Sequence, residues 1–298
     1  MATTKTELLN NGVVVATKTA APFYSWDWTP ASGASSLTYK RYEDNVLVFT
    51  SAATTGTVDA AAGYDVDYQA KLDFATANSI PLPSTAQSDI YNQKIIDFKT
   101  TDGWSQSPVV MDFSGVADIQ FKLICIKRRV LGISYGTPTW SSDGWLGDGT
   151  TAYIDPLYDT TSDAKWLLNN AGVSWVNFQT ASAGAVTGAY TGTADDYDYV
   201  LIAPKTGHIG INGKNTVTDN YTQLGFSSVN RISATQVMRN NVAVTANSNT
   251  KFAGKLLIGC RDNIDASSLD VFYDGGISFI FMGGASTDYT AMETILEA

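Results

Sequence analysis

From residue 108 onward the chain alternates short runs of β-branched and aromatic residues with turn signals, and this most limits what it can fold into. The runs are "PVVMDF", "IQFKLICIK", "AYIDPLY", "VSWVNFQT", "DYVLIAP", "HIGIN", "RISATQVM", "VAVTA", "KLLIGC", "LDVFY" and "ISFIFMG". Their number and even spacing predict two stacked antiparallel sheets, a sandwich or jelly roll, across 108–298. Arg239-Asn240-Asn241 and Asp274-Gly275-Gly276 stand where hairpin turns are expected. Thr290 and Glu293 have capping-box spacing, so a short helix is expected to close the chain.

Before residue 108 the period changes twice. Within a first β module expected over 1–59, residues 6–50 read as further short strands: "TELL", the turn pair Asn11-Gly12, "VVVATKT", "FYSWDWT", "LTYKRY" and "VLVFT". Trp26 and Trp28 fall on one face of such a strand, with at least one expected in the core rather than stacking on a ligand. Small and polar residues 51–63 read as a linker. Residues 60–107 then carry two helical stripes. Tyr68, Leu72 and Ala75 form one; Tyr91, Ile95 and Phe98 form the other, opened by the Ser84/Gln87 capping-box spacing and closed by Asp102-Gly103.

Charge and cysteine content narrow the function. The 298 residues carry a net charge of −10, a field that repels nucleic acid and anionic lipid, so neither is an expected partner. Lys127-Arg128-Arg129 reads as a solvated strand end, with a phosphate or carboxylate contact as the alternative. No apolar run has the length of a membrane span and the amino terminus lacks a signal peptide's pattern, so synthesis in a cytoplasm without membrane insertion is expected. Cys125 and Cys260 each sit in an apolar run, where a thiol behaves as a small buried hydrophobe; a disulfide between them is the lesser alternative.

The stretch "GWLGDGTTAYIDP", residues 144–156, concentrates glycine, aspartate and aromatics. It lacks the P-loop pattern and leads into a strand, which argues against a phosphate cradle. Asp143, Asp148 and Asp155 supply hard oxygens, but not at EF-hand spacing, and no metal or other cofactor is expected. Trp140, Trp145, Tyr153 and Tyr158 beside Asp148 have the residue types of a carbohydrate rim. The favoured alternative is structural: Gly147 and Gly149 permit a bend into the sandwich, and Tyr153 and Ile154 point to opposite faces.

Catalytic constellations are thin. The four glutamates, Glu7, Glu43, Glu293 and Glu297, lie outside the predicted sandwich strands, which leaves a two-glutamate glycosidase without its pair. Asp195, Asp196 and Asp198 read as an exposed turn. His208 is the single histidine and has no evident partner for a triad or a two-histidine metal site. The expectation is a protein that is not an enzyme.

Two resemblances sharpen this. "NG" followed by "APFYSWDWTP" resembles bacterial immunoglobulin-like modules over about fifty residues. In order, "DYQAKLDFATANSIPLPSTAQSDIYNQKIIDFKTTDGW", "GWLGDGTTAYIDPLYD", "NRISATQVMRNNVAVTANS", "LLIGCRDN" and "FYDGGISFIFMGGASTDY" resemble a concanavalin A-like, laminin G-like module of tailed-bacteriophage structural proteins, over residues 64–298. "RNN" replaces that family's "NG" hairpin, and "GGASTDY" lacks its usual leucine, departures that weaken the transfer of any binding site. The resemblance implies an immunoglobulin-like module, a helical hairpin and a jelly roll. It also implies a place on the outside of a capsid or tail, as head fibre, decoration protein or fibre subunit, assembled in host cytoplasm. Partners would be other virion proteins and further copies of the chain, with a host glycan receptor as the alternative.

Overall fold

The computed structural model describes residues 4–10, 13–18, 33–43, 46–50, 54–58, 64–191, 198–203, 208–213, 216–217, 224–248, 250–263 and 267–297. The expectations for Asn11-Gly12, Trp26, Trp28, Asp195 and Asp196 lie outside these residues. The chain divides into two compact units, Met1–Tyr64 and Asp65–Ala298.

In the first unit the described strands form one antiparallel sheet. Thr4–Asn10 lies between Val13–Lys18 and the long strand Gly33–Glu43, whose other edge pairs with both Val46–Thr50 and Thr54–Val58. Thr54–Val58 corrects the linker expected over 51–63. Its small residues pair through their backbones, which composition alone does not register.

The second unit is a mainly β sandwich carrying helices. Among the described residues one sheet has eight strands and the other nine. The centre of the first is Gly276–Gly283, Ala171–Gln179 and Gly225–Arg231, all antiparallel. The second runs through His208–Ile211, Asp198–Ala203, Thr187–Thr191, Leu257–Ile258 and Tyr153–Asp155. Alternate residues turn inward and meet between the layers: Val173, Trp175, Val229 and Ile280 from one sheet, Ile154, Ala189, Ile202 and Ile258 from the other. At one end Arg231 is fully buried and reaches across, donating to the carbonyls of Ile211, Ala246 (2.8 Å) and Ser233 (3.2 Å). Desolvation alone lowers its pKa, so carbonyl dipoles are what hold this cation.

Helices cover part of the eight-stranded sheet's outer face. α1 (Val66–Ala77) is capped by Asp65, which accepts from Asp67 N at 3.0 Å, and buries Tyr68, Lys71, Leu72 and Ala75. α2 (Thr85–Phe98) is capped by Ser84 and buries Tyr91, Ile95 and Phe98. Both stripes match the sequence reading. Half of the expected capping box forms: Gln87 N donates to Ser84 Oγ at 3.3 Å, but the Gln87 side chain accepts from Val116 N at 3.1 Å instead of reaching back. Asp102-Gly103 does not end α2 but opens a short helix, α3 (Asp102–Gln106). Phe98 enters an aromatic cluster with Phe279 (5.4 Å, edge-on), Phe281 (4.9 Å) and Trp104 (5.9 Å, edge-on), fixing the hairpin to the sheet. Lys99 ties the end of α2 to the start of α1 by contacts of 2.5 Å to Asp65 and Asp67.

Four further expectations are corrected. "IQFKLICIK" is not one strand: Asp118 accepts from Gln120 N at 2.8 Å and starts α4 (Ile119–Lys122), leaving only Ile124–Cys125 extended. Asp274-Gly275-Gly276 makes no hairpin, because Ser268–Asp270 and Gly276–Gly283 belong to different sheets. The C-terminal helix, α5 (Tyr289–Leu296), begins at Asp288, so Thr290 is already helical and caps nothing. The basic run tethers backbone rather than ending free. Lys127 donates to Trp104 O (2.5 Å) and Arg128 to Leu157 O (2.7 Å), while Arg129 lies 3.7 Å from Asp67. Asn240 and Asn241, at φ 44° and 63°, do form the expected tight hairpin turn. Cys125 and Cys260 are buried free thiols. No helix among the described residues is long and apolar enough to cross a membrane.

Candidate functional surface

The 144–156 stretch carries the chain from one sheet to the other. Trp145–Leu146 pairs with Gly276–Gly283, and Tyr153–Asp155 pairs with Ile133–Tyr135 and Leu257–Ile258. Gly147 packs so closely on the Tyr273 carbonyl that a Cβ would collide with it, and Gly149 takes φ +71°. Between them Asp148 organises the crossing. Its Oδ1 accepts from Thr150 N, Thr151 N and Ala152 N at 2.7–2.8 Å, and its Oδ2 from Thr151 Oγ1 (2.6 Å) and Thr137 Oγ1 (3.0 Å). Partial desolvation pushes its pKa up, but the hydroxyl and amide donors of Thr151, Thr150 and Ala152 outweigh it and hold the carboxyl well below the usual range. Both oxygens are engaged by the loop itself.

The aromatic residues separate into core and surface. Trp145 is fully buried, its ring against Gly259, and presents no face to solvent. Tyr158 is 2% exposed, edge-on to Trp166 at 6.5 Å, with its hydroxyl on Asp163. For these two the rim expectation is corrected: large apolar rings gain most by burial between the layers. Trp140 is half-buried on Phe113, edge-on at 5.9 Å. Tyr153 alone joins an open face, lying parallel to Tyr135 at 4.5 Å with Phe272 at 6.4 Å. Tyr135, overlooked in the sequence, is 39% exposed. The Ile133/Tyr135 alternation before Gly136 was the available signal for it. Since Ile154 points inward, this stack lies on the outer face of the nine-stranded sheet, next to the Thr137–Asp148 contact.

The acidic residues do not converge. Asp143 is exposed, whereas Asp155 is buried, accepting from Leu157 N (2.7 Å) and facing Lys255 (3.7 Å). Among the described residues no three His, Cys, Asp or Glu side chains are grouped to hold an ion. Glu297 accepts from Phe226 N, and Glu293 lies 3.3 Å from the Tyr289 hydroxyl. His208 pairs through its backbone in the His208–Ile211 strand, and only that backbone is described. Burial, reinforced by Asp262, Asp270 and Asp155, raises the Cys260 thiol pKa and opposes thiolate formation.

A second concave region lies on the opposite sheet, beside α5. It is a cleft of about 100 Å³ between the outer face of the Gly225–Arg231 and Gln236–Arg239 strands and the Ser286–Tyr289 segment. None of its residues is singled out in the sequence for binding, since they come from two strands, a hairpin tip and the segment leading into α5, which no local pattern joins.

No family model and no curated protein matches the chain. Among solved structures it is similar to domain 4 of AbnA, a GH43 extracellular arabinanase from Geobacillus stearothermophilus, in complex with arabinotriose. The identity is 12%, with a TM-score of 0.39 over 64% of this chain and 98% of that one.

Proposed function

We propose that the chain is a non-enzymatic structural component of a tailed-bacteriophage particle, borne on the outside of capsid or tail as a head fibre, decoration protein or fibre subunit. The supporting observation is the succession of parts: a helical hairpin seated by Phe98 on a two-sheet sandwich that α5 closes. This is the succession implied by the resemblance over residues 64–298. Assembly takes place in host cytoplasm, where buried free thiols stay reduced. Partners are other virion proteins and further copies of the chain in a symmetric oligomer. Gradient-purified particles should contain the chain at a fixed copy number, and light scattering should find the isolated protein as a discrete oligomer. A monomer that never sediments with particles contradicts this reading.

A second reading, a host-glycan receptor, draws on the open Tyr135–Tyr153 stack, whose flat apolar face suits a sugar ring. A glycan array with and without calcium tests it, and a signal no higher than background removes it.

A further inference from the structure

The outer face of the eight-stranded sheet is covered unevenly. α2 lies over the strand bearing Phe279 and Phe281, and α5 packs on α2 and on Gly225–Arg231. The next strands, Gln236–Arg239 and Val242–Thr245, continue toward the sheet edge. The cleft opens at this step, walled by Asn230, Ile232, Met238 and Asn241 from the sheet and by Ser286 and Tyr289 from the helical side.

Three properties decide what it accepts. The lining, completed by Ser228 and Thr287, carries no formal charge, so an ion entering it would lose water without gaining a counter-charge. Buried polar groups at its floor are left open. Asn230 is 3% exposed; its Oδ1 accepts from Ser286 N at 3.0 Å, while its Nδ2 makes no hydrogen bond among the described residues. Ser228 is 2% exposed; its backbone N donates to Asn240 Oδ1 at 2.8 Å and its carbonyl accepts from Asn240 N at 3.0 Å, while its hydroxyl makes no hydrogen bond among the described residues. Both groups open into the cleft and can bond to what enters it. Finally, Ile232, Met238 and the Tyr289 ring give apolar walls, the Tyr289 hydroxyl being engaged by Phe226 O (3.2 Å) and Glu293.

The walls are set in advance. Asp102, from α3, accepts from Thr287 N (2.7 Å), Thr287 Oγ1 (2.8 Å), Asp288 N (3.2 Å) and the Ser286 hydroxyl. Opposite, the positive φ of Asn240 and Asn241 fixes the hairpin tip. A ligand therefore meets a site that needs little ordering.

We propose that this cleft binds one neutral sugar ring, its hydroxyls meeting Ser228, Asn230 and Asn241 and its C–H face lying on Met238 and Tyr289. A pyranose offers hydroxyls that both donate and accept around an edge and C–H groups on its faces. Amide and hydroxyl side chains answer both roles where a charged lining would answer one. The proposal rests on the glycan reading and moves the contact to the opposite sheet from the Tyr135–Tyr153 stack.

The test is titration of the isotope-labelled full chain with methyl glycosides of glucose, galactose, mannose and N-acetylglucosamine, read by amide NMR, with methyl glucuronide as the charged control. At least one neutral glycoside should give saturable shifts at Asn230, Met238, Asn241 and Thr287, with the glucuronide weaker by about tenfold. Met238→Trp, which fills the cleft, and Asn241→Gly, which keeps the positive φ and removes the amide, should each weaken binding by about tenfold. Saturable binding that survives both variants and disappears in Tyr135→Ala overturns the cleft while keeping the glycan reading. No saturable shift from any neutral glycoside overturns the cleft as well.

Discussion

A lysine side chain resists burial, yet Lys71 is 1% exposed on the inward side of α1. Its ammonium lies 4.4 Å from the Phe121 ring centroid and 5.9 Å from that of Tyr91. Desolvation lowers its pKa from 10.5 to about 8, with Asp112 and Cys125 opposing the shift and Lys94 adding to it. At this site the unfolded chain holds more protons between pH 8 and 10.5, so the contribution of Lys71 to stability rises through that window as pH increases. Lys71→Met should raise the chain's stability at pH 7 by about 1–3 kcal/mol, and the gap between the two proteins should close as pH rises from 8 to 10.5, as measured by denaturant melts at several pH values. The buried tyrosines, Tyr91 and Tyr158 among them, and Cys260 have pKa values raised by burial; they lower stability as pH rises past their unfolded values, equally in both proteins, and cancel in the difference. Asp148 behaves oppositely. Its folded pKa lies below its ordinary value, so its contribution is present above the unfolded pKa near 4 and lost as pH falls through the folded one. Asp148→Ala, which strips five acceptor contacts from the crossing, should cost about 1–3 kcal/mol in thermal or denaturant melts at neutral pH. The Tyr68/Leu72/Ala75 stripe is legible in the sequence because period alone reports it. Lys71 is not, because a lysine beside such a stripe ordinarily extends to water.

At the scale of elements, the helical hairpin is held by aromatic packing. Phe98→Ala removes a buried ring from contact with Trp104, Phe279 and Phe281 and should cost about 3–5 kcal/mol, with hydrogen exchange rising first in α2. The Asn240-Asn241 turn admits Asn241→Gly with little change. Asn241→Val, a β-branched residue at φ 63°, should lower the melting temperature measurably. The central strand Gly225–Arg231 is the element the sequence conceals most. In "GFSSVNR" the inward positions are Ser227, Val229 and Arg231, so no apolar alternation announces a strand buried on both faces. "IQFKLICIK" misleads in the other direction. Phe121, Leu123 and Cys125 alternate, but the Asp118 cap commits the first turn to helix, and the next residues are buried from two sides.

At the scale of the whole molecule, the two units carry separate sets of contacts. Residues 65–298 expressed alone should fold, giving a dispersed amide spectrum and a cooperative melt. Sandwich architecture after residue 108 is legible because evenly spaced strands leave few other ways to bury alternating faces. The surfaces are not. Trp145 and Tyr153 look alike in a sequence, and only the sheet crossing sends one inward and leaves the other beside Tyr135. The cleft beside α5 draws on strands and a helix as far apart in sequence as Ser228 and Tyr289, which no local pattern joins. The place proposed for this chain is the exterior of a phage particle. Gold-labelled antibody raised against residues 65–298 and imaged on intact particles tests it directly. One repeated position on capsid or tail is the predicted result; unlabelled particles, with the chain recovered only from the particle-free lysate, would contradict it.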